Sequence, residues 1–194
     1  MISCLILTFN EEQNIGDCIA SIPWRTDVHV LDSYSDDATR KVAESMGAKV
    51  TCRVFTDYAD QRNSGLSLAF DHDWIVMIDA DERMTPELAS EIEQVILRRE
   101  EVTMMLVRRK DYFLGRWLRR SSGYPTWFPR VMRKGEVRVS RQINEEYDTY
   151  GTIHLLSEHL LHYPFTKGVE WWFERHNKYS TMESANLIEE QKTR

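Results

Sequence analysis

Trp74-Ile75-Val76-Met77-Ile78-Asp79-Ala80-Asp81-Glu82 is a short apolar run that ends in three carboxylates within four residues. Trp74 to Ile78 is too short for a free-standing helix and rich in β-formers, which predicts a buried strand. Asp79, Asp81 and Glu82 then stand at its C-terminal mouth, where ligands bind in an open α/β sheet. On a strand, Asp79 and Asp81 would share a face. Crowded carboxylates repel unless something positive lies between them, and a hard divalent cation is the usual partner of oxygen ligands. A solvated acidic turn would show the same residues, so the meaning of the stretch depends on its surroundings.

Upstream, Ile2 to Thr8 is apolar enough for a central strand buried on both faces. The loop Phe9-Asn10-Glu11-Glu12 follows, with Asn10 as the expected cap of a helix carrying Ile15, Cys18, Ile19 and Ile22 and ended by Pro23. Val28 to Leu31 predicts a second strand running into Asp32-Ser33-Tyr34-Ser35-Asp36-Asp37, with Ser35 capping a helix that Gly47 closes. Lys49 to Cys52 predicts a third strand, and Tyr58 to Ala69 a helix with Gln61-Arg62-Asn63 on its first turns. Downstream, Thr85-Pro86-Glu87 is a helix start, and Leu88, Ile92, Val95 and Ile96 form the apolar stripe that follows. This β/α alternation predicts an α/β fold with a mostly parallel, doubly wound sheet and right-handed crossovers. If the strands ending at Asp32 and Asp79 are adjacent, their acids line one crevice.

After Glu101 the pattern changes. Thr103 to Arg109 reads as a strand, and Tyr112 to Arg141 as loops and short antiparallel strands. From Lys167 on, Val169, Trp172, Phe173, His176 and Met182 mark an amphipathic helix. The expected division is residues 1–101, residues 102–166 as a second segment of the same domain, and a terminal helix over 167–194. Net charge is −6, which argues against a general nucleic-acid binder. Yet Arg98 to Arg141 holds thirteen Lys+Arg against four Asp+Glu. Such asymmetry predicts a local anionic partner. Arg116-Trp117-Leu118-Arg119-Arg120 interleaves cationic, aromatic and aliphatic residues, a composition suited to an anionic membrane surface. Three cysteines without metal spacing predict reduced thiols and a cytoplasmic chain, peripheral at most on the inner face of the cytoplasmic membrane. An apolar strand beginning at Ile2 leaves no expected leader, and no apolar run reaches a membrane-spanning length.

Four blocks occur in an informative order: Leu7-Thr8-Phe9-Asn10-Glu11-Glu12, Leu31-Asp32-Ser33-Tyr34-Ser35-Asp36, Gln61-Arg62-Asn63-Ser64-Gly65 and Asp79-Ala80-Asp81-Glu82. In order and spacing they resemble family 2 glycosyltransferases, which have the GT-A fold. Gly123-Tyr124-Pro125, Arg130 to Gly135, Asn144-Glu145 and Leu161-His162-Tyr163 resemble the subgroup of bacterial lipopolysaccharide-core β-glycosyltransferases. That subgroup usually shows His-Glu where this chain has Asn144-Glu145.

The resemblance implies an inverting transfer of a sugar from a nucleotide-sugar, most often a UDP-sugar, to a glycan or lipid-linked acceptor, with Mn²⁺ or Mg²⁺. Asp32 would accept from the uracil N3–H, while Thr8, Asn10, Glu11 and Glu12 hold base and ribose. Arg62 would pair with a phosphate or with the acidic motif itself. Asp79, followed by Ala80, would touch the ribose or a metal-bound water. Asp81 would ligate the cation and His162 would add a second ligand, favouring Mn²⁺. Glu145 is the expected base, with Glu82 as second choice. Arg116, Arg119, Arg120 and Arg130 fall on the side of the acceptor or an anionic partner. The alternative is a non-catalytic module of the same fold that binds a nucleotide or a membrane.

Overall fold

A computed structural model describes residues 1–120, 123–141 and 145–192. The elements run β1 (Ile2–Thr8), α1 (Ile15–Ser21), β2 (Val28–Asp32), α2 (Thr39–Ser45), β3 (Lys49–Cys52), α3 (Tyr58–Leu66), β4 (Trp74–Asp79), β5 (Glu82–Arg83) and α4 (Pro86–Arg98). They continue with β6 (Val102–Phe113), β7 (Arg116–Trp117), β8 (Trp127–Arg133), β9 (Val137–Ser140), β10 (Glu146–Thr149), β11 (Thr152–His162) and α5 (Val169–Lys192).

The main sheet has the order β3-β2-β1-β4-β8-β6-β11-β5, and β7 hangs from β6. The strands from the first eighty residues pair in parallel, β3 to β2, β2 to β1 and β1 to β4. Crossover helices between successive strands make this the natural arrangement. Strands after residue 101 extend the same sheet. β8 enters antiparallel between β4 and β6, and β11 lies parallel beside β6. The strands ending at Asp32 and Asp79 are therefore not adjacent, because β1 runs between them.

Alternation along β4 builds both core layers. Trp74, Val76 and Ile78 pack with Ile15 and Ile19 of α1 and with Leu88 and Ile92 of α4. Ile75 and Met77 face the other way, onto Leu5, Leu31, Met104 and Met132. Thr85 caps α4 as expected, accepting from the Leu88 backbone N–H at 3.2 Å, with Pro86 opening the helix.

β8 is one of the short antiparallel strands expected between Tyr112 and Arg141, though the sequence does not place it. Its third residue is Pro129, which removes a ladder donor and argues against an interior strand. The β6–β8 ladder shifts register between Met105 and Leu106, and Leu106 faces Pro129, so the proline sits at an irregularity that tolerates it. Among the described residues no helix is long and apolar enough to cross a membrane.

Candidate functional site

The acidic stretch splits over three local structures. Asp79 is the last residue of β4, Ala80 and Asp81 form a turn, and Glu82 begins β5. The turn breaks strand parity, so the shared-face argument does not apply to Asp79 and Asp81, although both line one cavity.

Arginines relieve much of the crowding. Arg130 of β8 donates Nη2 to Asp79 Oδ2 at 3.0 Å and to Glu82 Oε1 at 2.9 Å, and Nε to Glu82 Oε2 at 2.9 Å. Arg109 adds a longer pair to Glu82 at 3.6 Å, and the Asp79 N–H donates to Glu82 Oε2 at 3.0 Å. Glu82 is fully buried and engaged on both oxygens, which removes it as a base. Arg130 is likewise buried and belongs to this cluster, not to an outward acceptor surface. Burial opposes its charge, but the Glu82 and Asp79 carboxylates raise its pKa above the ordinary arginine value. Arg62 of α3 lies 3.6 Å from Asp79 Oδ1 and donates Nε to Glu145 Oε1 at 2.8 Å. Glu145, eighty-three residues from Arg62 in sequence, thus reaches the same cavity. Asn144 lies outside the described residues.

Asp81 belongs to a different set. Oδ2 lies 3.3 Å from His162 Nε2, and His162 Nδ1 is 2.7 Å from Asp111 Oδ1. β11 delivers the histidine, and the Tyr163 N–H donates to the Asp81 carbonyl at 2.9 Å, which pins the strand end to the turn. Burial would lower the His162 pKa, but the two flanking carboxylates outweigh it and raise it to about 9. Burial opposes ionisation of Asp81, and His162 outweighs that and holds its pKa well below the ordinary carboxylate value. A carboxylate beside an imidazole whose other nitrogen meets a second carboxylate is the donor pattern of a metal-binding histidine. Among the described residues no group of three or more His, Cys, Asp or Glu could hold a metal. Asp81 and His162 together offer one oxygen and one nitrogen, so a cation held there would need water and phosphate as its further ligands.

These residues border a cavity of about 1270 Å³. Thr8, Glu11, Ser33 and Tyr34 form one rim, Phe128 and Tyr147 another, and α5 covers it with Trp171, Arg175 and Tyr179. Thr8 Oγ1 and Gln61 Oε1 are buried without a hydrogen-bond partner among the described residues. Asp32, Asn10 and Glu12 do not line the cavity; they build its rim. Asp32 is fully buried, with Oδ1 accepting from the Ser35 N–H at 2.8 Å and Oδ2 from the Ser35 hydroxyl at 2.5 Å. Ser35 in turn accepts from the Asn10 N–H at 2.8 Å, and Asn10 Oδ1 accepts from the Asp36 N–H at 3.0 Å. Glu12 accepts from the Ala38 N–H at 2.9 Å. Neither Asn10 nor Ser35 caps a helix: α1 starts at Ile15 and α2 at Thr39, and both side chains are spent joining the two loops.

Arg116, Arg119 and Arg120 lie at and after the β6–β7 hairpin, away from the cavity lining, with Arg119 5.0 Å over the Trp117 ring. The cavity also contains Gln61, quoted in a sequence block but given no role there, and two residues that the sequence did not mark, Arg109 and, on α5, Arg175. Asp111, behind His162, was missed as well. Arg109 and Asp111 alternate on a strand, a period-two signal available in the sequence; Arg175 offers none.

The family model described as Glycosyl transferase family 2 matches residues 3–160. An uncharacterised glycosyltransferase of Rickettsia felis is 30% identical, the match covering 98% of this chain and 71% of that one. The lipopolysaccharide core biosynthesis glycosyltransferase LpsC of Rhizobium meliloti is 25% identical, over 97% of this chain and 72% of LpsC. Among solved structures, glucosyl-3-phosphoglycerate synthase of Mycobacterium tuberculosis, in complex with Mg²⁺ and UDP, superposes with a TM-score of 0.50 at 21% identity. That match covers 69% of this chain and 56% of the synthase, a likeness of fold. The four sequence blocks, the GT-A sheet that carries them and the family match over residues 3–160 agree: the chain belongs to glycosyl transferase family 2.

Proposed function

We propose that this glycosyltransferase moves a hexose from a nucleotide-sugar, UDP-linked in our reading, to a hydroxyl of a glycan or lipid-linked acceptor, with inversion, in the synthesis of bacterial cell-surface polysaccharide. The observation that carries the reading is the meeting of Asp79, Asp81, Arg62 and Glu145 around one cavity, with His162 paired to Asp81 behind it. Similarity to LpsC supports the lipopolysaccharide setting.

Asp81 and His162 would hold Mn²⁺ or Mg²⁺, which neutralises charge developing on the leaving diphosphate. Asp79, fixed by Arg130 and Arg62, would face the ribose or a metal-bound water. Thr8, Glu11 and Gln61 receive the nucleoside, while Asp32, Asn10 and Glu12 keep the receiving loops in shape. In the chemical step the acceptor oxygen bonds to the anomeric carbon as the bond to the diphosphate breaks. The electron pair leaves with the diphosphate, and the hydroxyl proton passes to Glu145. Arg62 donates to Glu145 Oε1, which leaves Oε2 to take the proton. A lipid-linked acceptor would bring the chain to the inner membrane face, and the hairpin bearing Arg116, Arg119 and Arg120 suits that contact.

The test pairs donor binding with turnover. Nucleotide-sugars are screened for an Mn²⁺-dependent rise in melting temperature, and Glu145→Gln is assayed with the donor so found. The expected result is retained donor binding with kcat lower by about 10²–10⁴. Undiminished turnover in Glu145→Gln removes the base assignment. Donor binding without turnover by the unaltered chain, across acceptors, favours the non-catalytic module.

A further inference from the structure

One wall of the cavity is α5, which contributes Trp171, Glu174, Arg175, Lys178, Tyr179 and Met182 to the lining. This helix lies wholly beyond residues 3–160, the part that the family model matches. It is fastened at several points. Lys167 Nζ meets Glu11 Oε1 at 2.5 Å, and Asn14 Nδ2 donates to the Thr166 hydroxyl at 2.7 Å. The Tyr179 ring meets Tyr58 edge-on at 5.7 Å, and Arg141 lies 3.6 Å from Glu183.

The cations around the cavity fall into two sets. Arg62, Arg109 and Arg130 are each within ion-pair distance of carboxylates of the site. Arg175 and Lys178 have no such partner among the described residues; Glu174, one turn before Lys178, lines the same wall without pairing to it. Arg175 Nε donates to the Tyr179 hydroxyl, and the guanidinium lies 5.2 Å from the Trp171 ring and 5.3 Å from the Tyr179 ring. It is held in place while its Nη hydrogens have no described acceptor. Arg175 and Asp81 line the same cavity. A fixed, unspent guanidinium there matches a phosphate oxyanion, which it can take in bidentate fashion.

We propose that Arg175, assisted by Lys178, binds the diphosphate of the donor from the α5 wall, so that α5 serves as a clamp on the leaving group. The proposal rests on the nucleotide-sugar reading of the cavity and adds the residues that grip its charged centre. Arg175 and Lys178 supply positive charge where negative charge accumulates as the sugar departs.

Calorimetric titration of the whole chain with UDP and UMP in the presence of Mn²⁺, with GDP and CDP alongside, separates diphosphate recognition from nucleoside recognition. Arg175→Met is expected to weaken UDP about tenfold or more while changing UMP less than about threefold. Arg175→Lys should recover part of the loss, because charge survives and the fork does not. Lys178→Met, on an exposed side chain, should weaken UDP about threefold and leave the melting temperature unchanged. It carries the same diphosphate-against-monophosphate comparison if Arg175→Met melts early. UDP binding in both variants as tight as in the unaltered chain overturns the proposal, and so does an equal loss of UDP and UMP. An unaltered chain that binds no nucleoside diphosphate overturns the donor reading itself, and the clamp with it.

Discussion

Arg130 holds Asp79 and Glu82 at once, and Glu82 has no exposed surface at all. Removing the guanidinium leaves a buried carboxylate without its principal counter-charge, which costs about 3–5 kcal/mol. Arg130→Met is therefore expected to lose that much stability in urea denaturation, and a loss below about 1 kcal/mol would refute the account. The sequence set Arg130 in a basic run and pointed it outward, because nothing local to residue 130 marks a partner forty-eight positions earlier. Asp27 is a second case, at the end of the sheet away from the cavity. Its carboxylate accepts from Ser3, His29 and Lys49 side chains and from the Asp71 N–H. Burial opposes the charge, but these donors outweigh it and hold the pKa below the ordinary aspartate value. A lowered folded-state pKa means stability that is complete above the unfolded value of about 3.9 and is lost as pH falls below it. Asp27→Asn should flatten the fall in unfolding free energy between about pH 5 and pH 2, and an unchanged acid limb counts against this role.

At the scale of elements, Gly65 explains its own place in the Gln61–Gly65 block. A Cβ there would stand 2.7 Å from Leu5 Cδ2 and 3.3 Å from Cδ1, where α3 crosses β1. Gly65→Ala should cost about 1–3 kcal/mol through overpacking, visible as a lower denaturation midpoint, and neutrality would show that α3 can shift. The strands and helices of the first hundred residues were legible because each buries its own periodic face. The loops were legible as a family pattern but not as geometry. Asp32, Asn10 and Ser35 carry the expected residue types, yet Asn10 bonds to Ser35 and Asp36 across twenty-five and twenty-six positions, and Ser35 bonds to Asp32 instead of capping a helix. Side-chain partners distant in sequence leave no periodic trace. β8 was legible only as one of the short antiparallel strands between Tyr112 and Arg141, because Pro129 weakens the local strand signal that the ladder irregularity accommodates.

Across the whole molecule, the positive excess between Arg98 and Arg141 is in part answered by the chain's own acids. Arg109 and Arg130 turn inward to Glu82 and Asp79, Arg133 lies 5.4 Å over the Trp74 ring, and Lys134 donates to the Phe70 carbonyl. What stays outward is concentrated near the β6–β7 hairpin, where Leu114 is 86% exposed beside Arg116, and Arg119 and Arg120 follow. Flotation with anionic liposomes should recover the chain at low salt and lose it as salt rises, because such contacts decay over a Debye length of about 10 Å at 0.1 M. Arg116→Ala/Arg120→Ala chains that float as well as the original would discard the hairpin as the contact.

The strand order has one more consequence, which concerns time. β8 separates β4 from β6 although the ribosome makes it after both. Until residues 127–133 emerge, β4 carries an unpaired backbone edge along the apolar residues Trp74 to Val76. Chains interrupted before Trp127 therefore end with an adhesive edge, and slow translation between residues 80 and 126 favours aggregation over assembly.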